Sequence, residues 1–199
     1  RIHEFVEREQ PRSAVVVGAG FIGLEMAENL RERGMDVTVV QRGGHVMPNL
    51  DPDMAAIAHN HIRAHGVELL LDANVEGFEP QGDGTMLTGI AGAAPLASDM
   101  VVLAVGVAPE SSLAREAGLE CGIRGSIAVD EHMRTSDPDI YAVGDAVQVK
   151  NYVTGEDALI ALAGPANKQG RIAADNICGV PSRFTGSQGS SVLKLFDLT

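Results

Sequence analysis

The sequence is poor in the residues on which nucleic-acid binding depends. Its 199 residues contain no tryptophan, and aromatic side chains make up only 4% of the chain. With 15 basic against 27 acidic side chains, the formal net charge is −12, which repels a phosphate backbone. Because stacking platforms are few and the surface is repulsive, we expect no nucleic-acid partner.

Long apolar runs and cysteine pairs are scarce as well. No uninterrupted apolar stretch approaches the ~18 residues of a membrane span, so no membrane association is expected. There is no basic-then-apolar leader, and two cysteines cannot form a disulfide framework. Cys121 and Cys178 lack C-x-x-C spacing, so we interpret them as structural or incidental, with Cys178 on a buried helix face. A reducing cytoplasm is the expected compartment.

Strand and helix patterns alternate through the first hundred residues, which predicts an α/β fold with a parallel sheet and right-handed crossovers. Residues 74–89 lose the helical period and predict an antiparallel excursion from that sheet. Asp51 and Pro52 supply an N-cap and a first-turn proline. The β-branched or apolar runs that predict strands are 14–17, 37–40, 67–71 and 100–105, and helical spacing predicts helices over 21–33 and 51–65.

The second half of the chain has shorter patterns. Residues 127–129 and 140–143 predict short strands, and a helix is expected from Pro165 to about Cys178, ending at Gly179. Residues 190–198 alternate like a strand that begins a new domain. Because the chain opens without methionine and stops directly after this run, we interpret it as part of a longer protein.

A glycine motif follows the first predicted strand and opens the first helix of the alternating region. It has the form G-x-G-x-x-G, from Gly18 through Gly20 to Gly23. Gly18 allows a tight turn, Gly20 lets a pyrophosphate approach the backbone, and Gly23 lets the helix pack closely on the strand. The helix N-terminus, with Phe21 and Ile22, offers N–H groups and a partial positive charge to phosphates. In this context the motif predicts dinucleotide binding rather than a merely structural turn.

The end of the second strand carries Gln41 and then Arg42, about 20 residues after the glycines, where the ribose contact is expected. Glutamine can bond a 2′-hydroxyl without repelling a 2′-phosphate, and Arg42 can pair with that phosphate. NADP(H), or use of both nucleotides, is therefore supported at least as well as NAD(H) alone. The alternative is that Arg42 points into solvent.

Longer segments resemble a known family, the flavin-dependent pyridine nucleotide-disulfide oxidoreductases. Within it the sequence is similar to coenzyme A-disulfide reductases and the related NADH oxidases and peroxidases. The second flavin motif of the family, matched by TSDPDIYAVGDA, is far more specific than glycines alone. The resemblance covers essentially the whole chain and is carried by residues 17–25, 135–146, 163–171 and 192–199.

The resemblance implies a Rossmann-like three-layer NAD(P)-binding domain and a partial FAD-binding domain, with NAD(P)H and FAD as cofactors. In the intact homodimer, hydride passes from NAD(P)H to FAD, and electrons pass to a small-molecule disulfide, such as that of coenzyme A. The alternatives are an oxidase or peroxidase using oxygen or peroxide, or a non-catalytic NAD(P)-binding module. The implied domains are a linker over 1–10, the NAD(P) domain over 11–109, the returning FAD part over 110–180 and the start of a dimerisation domain over 181–199.

The resemblance also implies roles for single residues. Glu25 orients the nicotinamide carboxamide, and Gly106 is the close-approach residue on the opposite wall. The turn Gly144-Asp145 bonds the ribityl hydroxyls of FAD, and the helix start at Pro165-Ala166 points at the flavin pyrimidine edge. Glu25 as an ordinary exposed helix charge and Asp145 as a turn former are the alternatives. No catalytic residue is expected in this chain, because the redox cysteine lies upstream in the family.

Metal sites are not expected. His61 and His65 have the i, i+4 spacing of a zinc-binding pair on the helix that also carries His59. No third ligand is evident, so a solvated helix face is the better interpretation. Asp137 and Asp139 lack the calcium-loop pattern and are expected to be turn residues around Pro138.

Overall fold

The chain divides into two compact units. A computed structural model describes all 199 residues and assigns Arg1–Gly106 and Val192–Thr199 to unit 1 and Val107–Ser191 to unit 2. None of the helices combines the length and apolar character that a bilayer span requires.

Unit 1 is built on a four-stranded parallel sheet. Its helices are α1 (Ile2–Glu9), α2 (Phe21–Glu32) and α3 (Pro52–Ala64), and its strands are β1 (Ser13–Val17), β2 (Asp36–Val40), β3 (Glu68–Leu70), β4 (Val75–Pro80), β5 (Met86–Ile90), β6 (Leu96–Ser98) and β7 (Met100–Leu103). The sheet order is β3-β2-β1-β7, and every pair in it is parallel. This order confirms the expected α/β fold.

The antiparallel excursion is also present. Strands β4, β5 and β6 form a separate three-stranded antiparallel sheet in that order. The third strand, β6, was not predicted, because its three residues are too few to show an alternating pattern.

The core of unit 1 explains why the β-branched runs form strands. Val16 and Val39, on neighbouring strands, are fully buried, as expected for a sheet covered on both faces. On α2, Leu24 and Leu30 are buried in the same core. Gly34 and Gly66, with φ of 86° and 77°, follow α2 and α3 as expected for left-handed C-terminal stops.

Unit 2 contains shorter elements. They are α4 (Ser112–Glu116), a 3-10 turn (Ile123–Gly125), β8 (Ile127–Ala128), β9 (Val147–Lys150), β10 (Asp157–Ala158) and α5 (Ala163–Ile177). The three strands pair in the order β10-β9-β8. The buried core consists of Met133, Val147, Val149, Ala173 and Phe184.

Residues 1–10, which the resemblance assigns to a linker, form α1, and Val6 of this helix is buried in the core of unit 1. Two secondary-structure predictions were wrong in detail. Residues 140–143 form no strand beyond one bridge between Tyr141 and Arg134, because the chain turns immediately before, where Ile140 N–H donates to Asp137 O. Helix α5 begins at Ala163, so Pro165 lies inside its first turn, where no intrahelical donor is needed.

The predicted strand over 190–198 is also absent. Leu195 pairs with Leu198 in a single bridge, and Phe196 has a left-handed φ of 54° between them. Leu195 and Phe196 are both buried in the core of unit 1. Apolar residues here serve core packing, which an alternating pattern alone does not distinguish from a strand.

Candidate functional site

A cleft lies at the carboxyl ends of the parallel strands in unit 1. It has a volume of about 790 Å³, and its walls come from the glycine turn after β1, the end of β2 and the segment after β7. The strand order changes direction between β1 and β7, and such switch points are the usual ligand sites of open α/β sheets.

Two of the motif glycines are required by the protein itself. Gly18 has φ of 102°, and a Cβ there would overlap the carbonyl oxygen of Ala104. A Cβ on Gly23 would overlap the carbonyl oxygen of Gly18. The two residues therefore allow the turn, α2 and the segment after β7 to approach one another at backbone distance.

Gly20 differs from these two glycines, because nothing in the protein lies within 4 Å of a Cβ built on it. It is the N-cap of α2 and forms part of the cleft wall. A side chain there would project into open space without touching the fold. Next to it, the N–H groups at the start of α2, from Phe21 and Ile22, have no acceptor inside the helix. This combination suits an anionic ligand that approaches the backbone.

Gln41 and Arg42 both line the cleft, but only the Gln41 side chain is held by hydrogen bonds within the protein. The Gln41 side-chain oxygen accepts the Ala19 N–H at 3.1 Å, and its amide nitrogen donates to His45 O at 3.4 Å. Gln41 therefore ties the end of β2 to the glycine turn, a role that sequence reasoning missed. Arg42 is exposed and has no hydrogen bond or ion pair.

The loop after β2 is held beside the cleft by α3. His59 Nε2 accepts the Val46 N–H at 3.0 Å, and the Met47 N–H donates to Ala19 O at 2.8 Å. Burial lowers the pKa of His59, and the neighbouring charges of Arg63 and His45 lower it further. The neutral ring is the form that accepts a hydrogen bond, so this shift favours the attachment. His59 is therefore not a solvated side chain, contrary to the sequence interpretation.

The other predicted residues of unit 1 are distributed unevenly. Gly106 lines the cleft with φ of 114°. Glu25 lies one turn along α2, is exposed and is not among the residues that line the cleft. Phe21 and Ile22 also lie outside the lining, although their backbone belongs to the helix end that faces it.

In unit 2, the predicted flavin residues lie on the turn before β9 and at the start of α5. Gly144 has φ of 87°, and its N–H donates to the Gln169 side-chain oxygen at 2.7 Å. Asp145 is exposed and makes no side-chain hydrogen bond. Pro165 lines a hollow of about 330 Å³ with Lys168 and other residues. Ala166 closes the first turn of α5 by donating its N–H to Leu162 O at 3.2 Å.

Two further interpretations from the sequence were wrong. Cys178 is exposed after the end of α5 rather than buried. His61 and His65 are half-buried and lie against Phe196, so they do not form a solvated face. Asp197, whose side chain lies beside both rings, is a third potential ligand that sequence spacing did not reveal. The turn interpretation of Asp137 is consistent with the structure, because its side chain accepts the Asp139 N–H at 2.9 Å.

Comparison with known proteins gives the family. A model of the pyridine nucleotide-disulphide oxidoreductases matches residues 3–170. The chain belongs to this family. Over 99% of this chain and 44% of the relative, it is 39% identical to the NADH oxidase of Methanocaldococcus jannaschii. With the same coverage, it is 35% identical to the NAD(P)H sulfur oxidoreductase (CoA-dependent) of Pyrococcus abyssi. The chain therefore spans less than half the length of these oxidoreductases.

Solved structures of the family have the same fold. Reduced CoADR-RHD of Bacillus anthracis superposes with a TM-score of 0.93 at 48% identity, covering 99% of this chain and 35% of that chain. The NAD-dependent persulfide reductase of A. fulgidus also gives a TM-score of 0.93, at 43% identity, covering 98% of this chain and 36% of that chain. The family resemblance and the Rossmann-like fold predicted from the sequence are confirmed.

The cofactors of this pyridine nucleotide-disulphide oxidoreductase family are NAD(P)H and FAD. The residues of unit 1 fit the first of them, because Gly20 leaves open space beside free backbone donors. The residues of unit 2 fit part of the second, because the free carboxylate of Asp145 can accept hydrogen bonds from sugar-type hydroxyls.

Proposed function

We propose that the cleft of unit 1 binds NAD(P)H, with the diphosphate on the N–H groups at the start of α2. The open space at Gly20 is the observation that carries this proposal. The packing of the fold requires residues without a side chain at Gly18 and Gly23, but it does not require one at Gly20. A ligand that approaches the backbone explains a glycine at that position.

The remaining cleft residues position the rest of the nucleotide. Gln41 holds the glycine turn through Ala19 and keeps one oxygen lone pair and one N–H for the adenosine ribose. Arg42 is free to pair with a 2′-phosphate, which favours NADP(H) or use of both nucleotides. Gly106 admits the nicotinamide end. Glu25, which is exposed on α2 outside the cleft lining, orients the carboxamide of the bound nucleotide.

For the whole protein, we propose an NAD(P)H-dependent flavoprotein reductase. FAD, when bound, accepts hydride and passes electrons on. Asp145 in the Gly144 turn accepts hydrogen bonds from its ribityl hydroxyls, and the α5 N-terminus at Pro165 and Ala166 stabilises negative charge on the flavin. The redox cysteine belongs to a part of the protein outside this chain, so the chain alone is inactive.

We further propose that the final acceptor is a small disulfide or persulfide linked to coenzyme A. The Pyrococcus abyssi relative, a CoA-dependent sulfur oxidoreductase, supports this acceptor. Oxygen or peroxide is the second candidate, favoured by the relative from Methanocaldococcus jannaschii that is named an NADH oxidase. We also propose that the whole protein is a homodimer and that it lies in a reducing cytoplasm.

The binding site can be tested at Gly20. In Gly20→Ala a methyl group enters the cleft, so NAD(P)H affinity should fall at least about tenfold, equivalent to ~1.4 kcal/mol. Isothermal titration calorimetry measures this on the purified protein. Gly82→Ala is the matched control, because Gly82 also has nothing within 4 Å of its Cβ but lies outside the cleft. Equal affinity in the two variants would contradict the proposed site.

Nucleotide preference can be tested at Arg42. Arg42→Ala should weaken NADPH binding about tenfold and leave NADH binding nearly unchanged, because only NADPH carries the 2′-phosphate. Arg171→Ala is the control, since Arg171 is an exposed arginine of α5 that lies outside the cleft and makes no ion pair. A wild-type protein that strongly prefers NADH, with no change in Arg42→Ala, would remove this role while leaving the Gly20 site intact.

A further inference from the structure

A histidine pair and a carboxylate meet at the C-terminal end of α3. His61 Nε2 lies 2.9 Å from Asp197 Oδ1, and His65 Nε2 lies 3.4 Å from the same oxygen. One ligand atom from each of the three residues lies within 4.8 Å of the other two. All three residues belong to unit 1, and none of them lines the dinucleotide cleft.

The distances match those between ligands of a tetrahedral metal. Zinc lies about 2.0–2.1 Å from imidazole nitrogen and about 2.0–2.2 Å from carboxylate oxygen, which places neighbouring ligand atoms about 3.3 Å apart. The two nitrogen-to-oxygen distances of 2.9 and 3.4 Å lie close to that value. An i, i+4 histidine pair on one helix face is a common source of two such ligands.

His61 carries an independent sign of a missing partner. Its Nε2 is inaccessible to water and makes no hydrogen bond. Asp197 Oδ1 is close, but it approaches in a direction unsuitable for a hydrogen bond. A buried ring nitrogen without a partner costs free energy. A metal ion bound to both His61 Nε2 and Asp197 Oδ1 would remove this cost.

One hydrogen bond orients the His65 ring for metal binding. Its Nδ1 lies 2.9 Å from the carbonyl oxygen of His61, which can only accept, so Nδ1 carries the proton. In the neutral form of the ring the lone pair is on Nε2, which lies beside Asp197. Hydrogen bonds of this kind typically orient metal-binding histidines. The Phe196 ring stacks on His65 at 4.1 Å and 5° and fixes the ring plane.

We propose that His61, His65 and Asp197 bind a divalent metal ion of the zinc type, with water as the fourth ligand. The ion connects the C-terminal end of α3 to the segment 195–198 and so holds Leu195 and Phe196 in the core of unit 1. This site is additional to the proposed dinucleotide site and does not depend on it.

The test is metal titration of the purified protein after chelator treatment. Zn²⁺ should bind one equivalent by calorimetry and raise the thermal midpoint. Co²⁺ should give the intense visible bands of tetrahedral coordination without a thiolate charge-transfer band, which excludes Cys121 and Cys178 as ligands.

Variants assign the site. His65→Ala and Asp197→Ala should each weaken Zn²⁺ binding by more than about tenfold and remove the tetrahedral Co²⁺ bands. Asp197 is 83% exposed, so its variant should fold even if a histidine variant does not. His3→Ala and Asp175→Ala are matched controls on other helices and should bind as the wild type does. Unchanged binding in Asp197→Ala, or no saturable binding by the wild type, would overturn the proposal and leave a plain histidine–aspartate contact.

Discussion

Helices α2 and α5 are the first helix after the first strand of unit 1 and the long helix of unit 2, and they bury different numbers of side chains. Each follows a short strand, but α2 carries one glycine and one alanine, whereas α5 carries two glycines and four alanines. Of its 12 residues, α2 buries Gly23, Leu24, Ala27, Glu28 and Leu30. The longer α5, with 15 residues, buries only Gln169 and Ala173. Apolar packing therefore fixes α2 in unit 1, whereas α5 has fewer buried side chains and is also attached to unit 2 by hydrogen bonds of Gln169 and Asn176.

The same difference extends to the two cores. The main core of unit 1 packs one face of α2 and one face of α3 against a four-stranded sheet. The core of unit 2 contains only five buried residues. They lie on or between short strands and one helix of 15 residues. Since burial of apolar area is the main stabilising force, we expect unit 1 to resist denaturation better when each unit is followed separately.

The largest expected effect is at the glycines of the two helices. In Gly23→Ala the new Cβ overlaps the Gly18 carbonyl, which should cost about 3 kcal/mol of unfolding free energy. In Gly170→Ala the Cβ meets nothing within 4 Å, so the better helix propensity of alanine should add about 0.5–1 kcal/mol.

Urea denaturation can separate the two units. Both tyrosines, Tyr141 and Tyr152, lie in unit 2, so tyrosine fluorescence reports on that unit while far-ultraviolet circular dichroism reports on both. Gly23→Ala should shift the circular-dichroism midpoint more than the fluorescence midpoint, and Gly170→Ala should raise the fluorescence midpoint. If Gly170→Ala instead destabilises the protein as much as Gly23→Ala does, α5 is packed as tightly as α2.

Sequence reasoning was accurate where a local pattern and the tertiary structure impose the same requirement. The glycine turn, the buried valine strands and the C-terminal stops at Gly34 and Gly66 are each specified within a few residues. For this reason the parallel sheet of unit 1 was predicted nearly residue by residue. The cleft follows from it, because the carboxyl ends of those strands must meet at one edge.

Sequence reasoning failed where distant residues decide the outcome. Asp197 reaches His61 and His65 only because Phe196 is buried against the same helix. Gln41 was assigned to ribose alone, since nothing local shows that Ala19 would take its oxygen. Unit 2 was predicted least well, because strands of two residues carry no readable period.

A smaller effect is expected where α5 ends. The Asn176 side chain donates to Ser182 O and to Ile172 O, each at 2.8 Å, and accepts the Ser182 N–H at 3.3 Å. Its removal leaves half-buried backbone groups without partners, so Asn176→Ala should cost about 1–2 kcal/mol by tyrosine fluorescence. Asn167 makes only one hydrogen bond, to Ala163 O within the exposed first turn. Asn167→Ala should therefore change stability by less than about 0.5 kcal/mol. If Asn176→Ala and Asn167→Ala lower the free energy of unfolding equally, the hydrogen bonds of Asn176 do not stabilise the end of α5. The difference between α5 and α2 then lies in apolar packing alone.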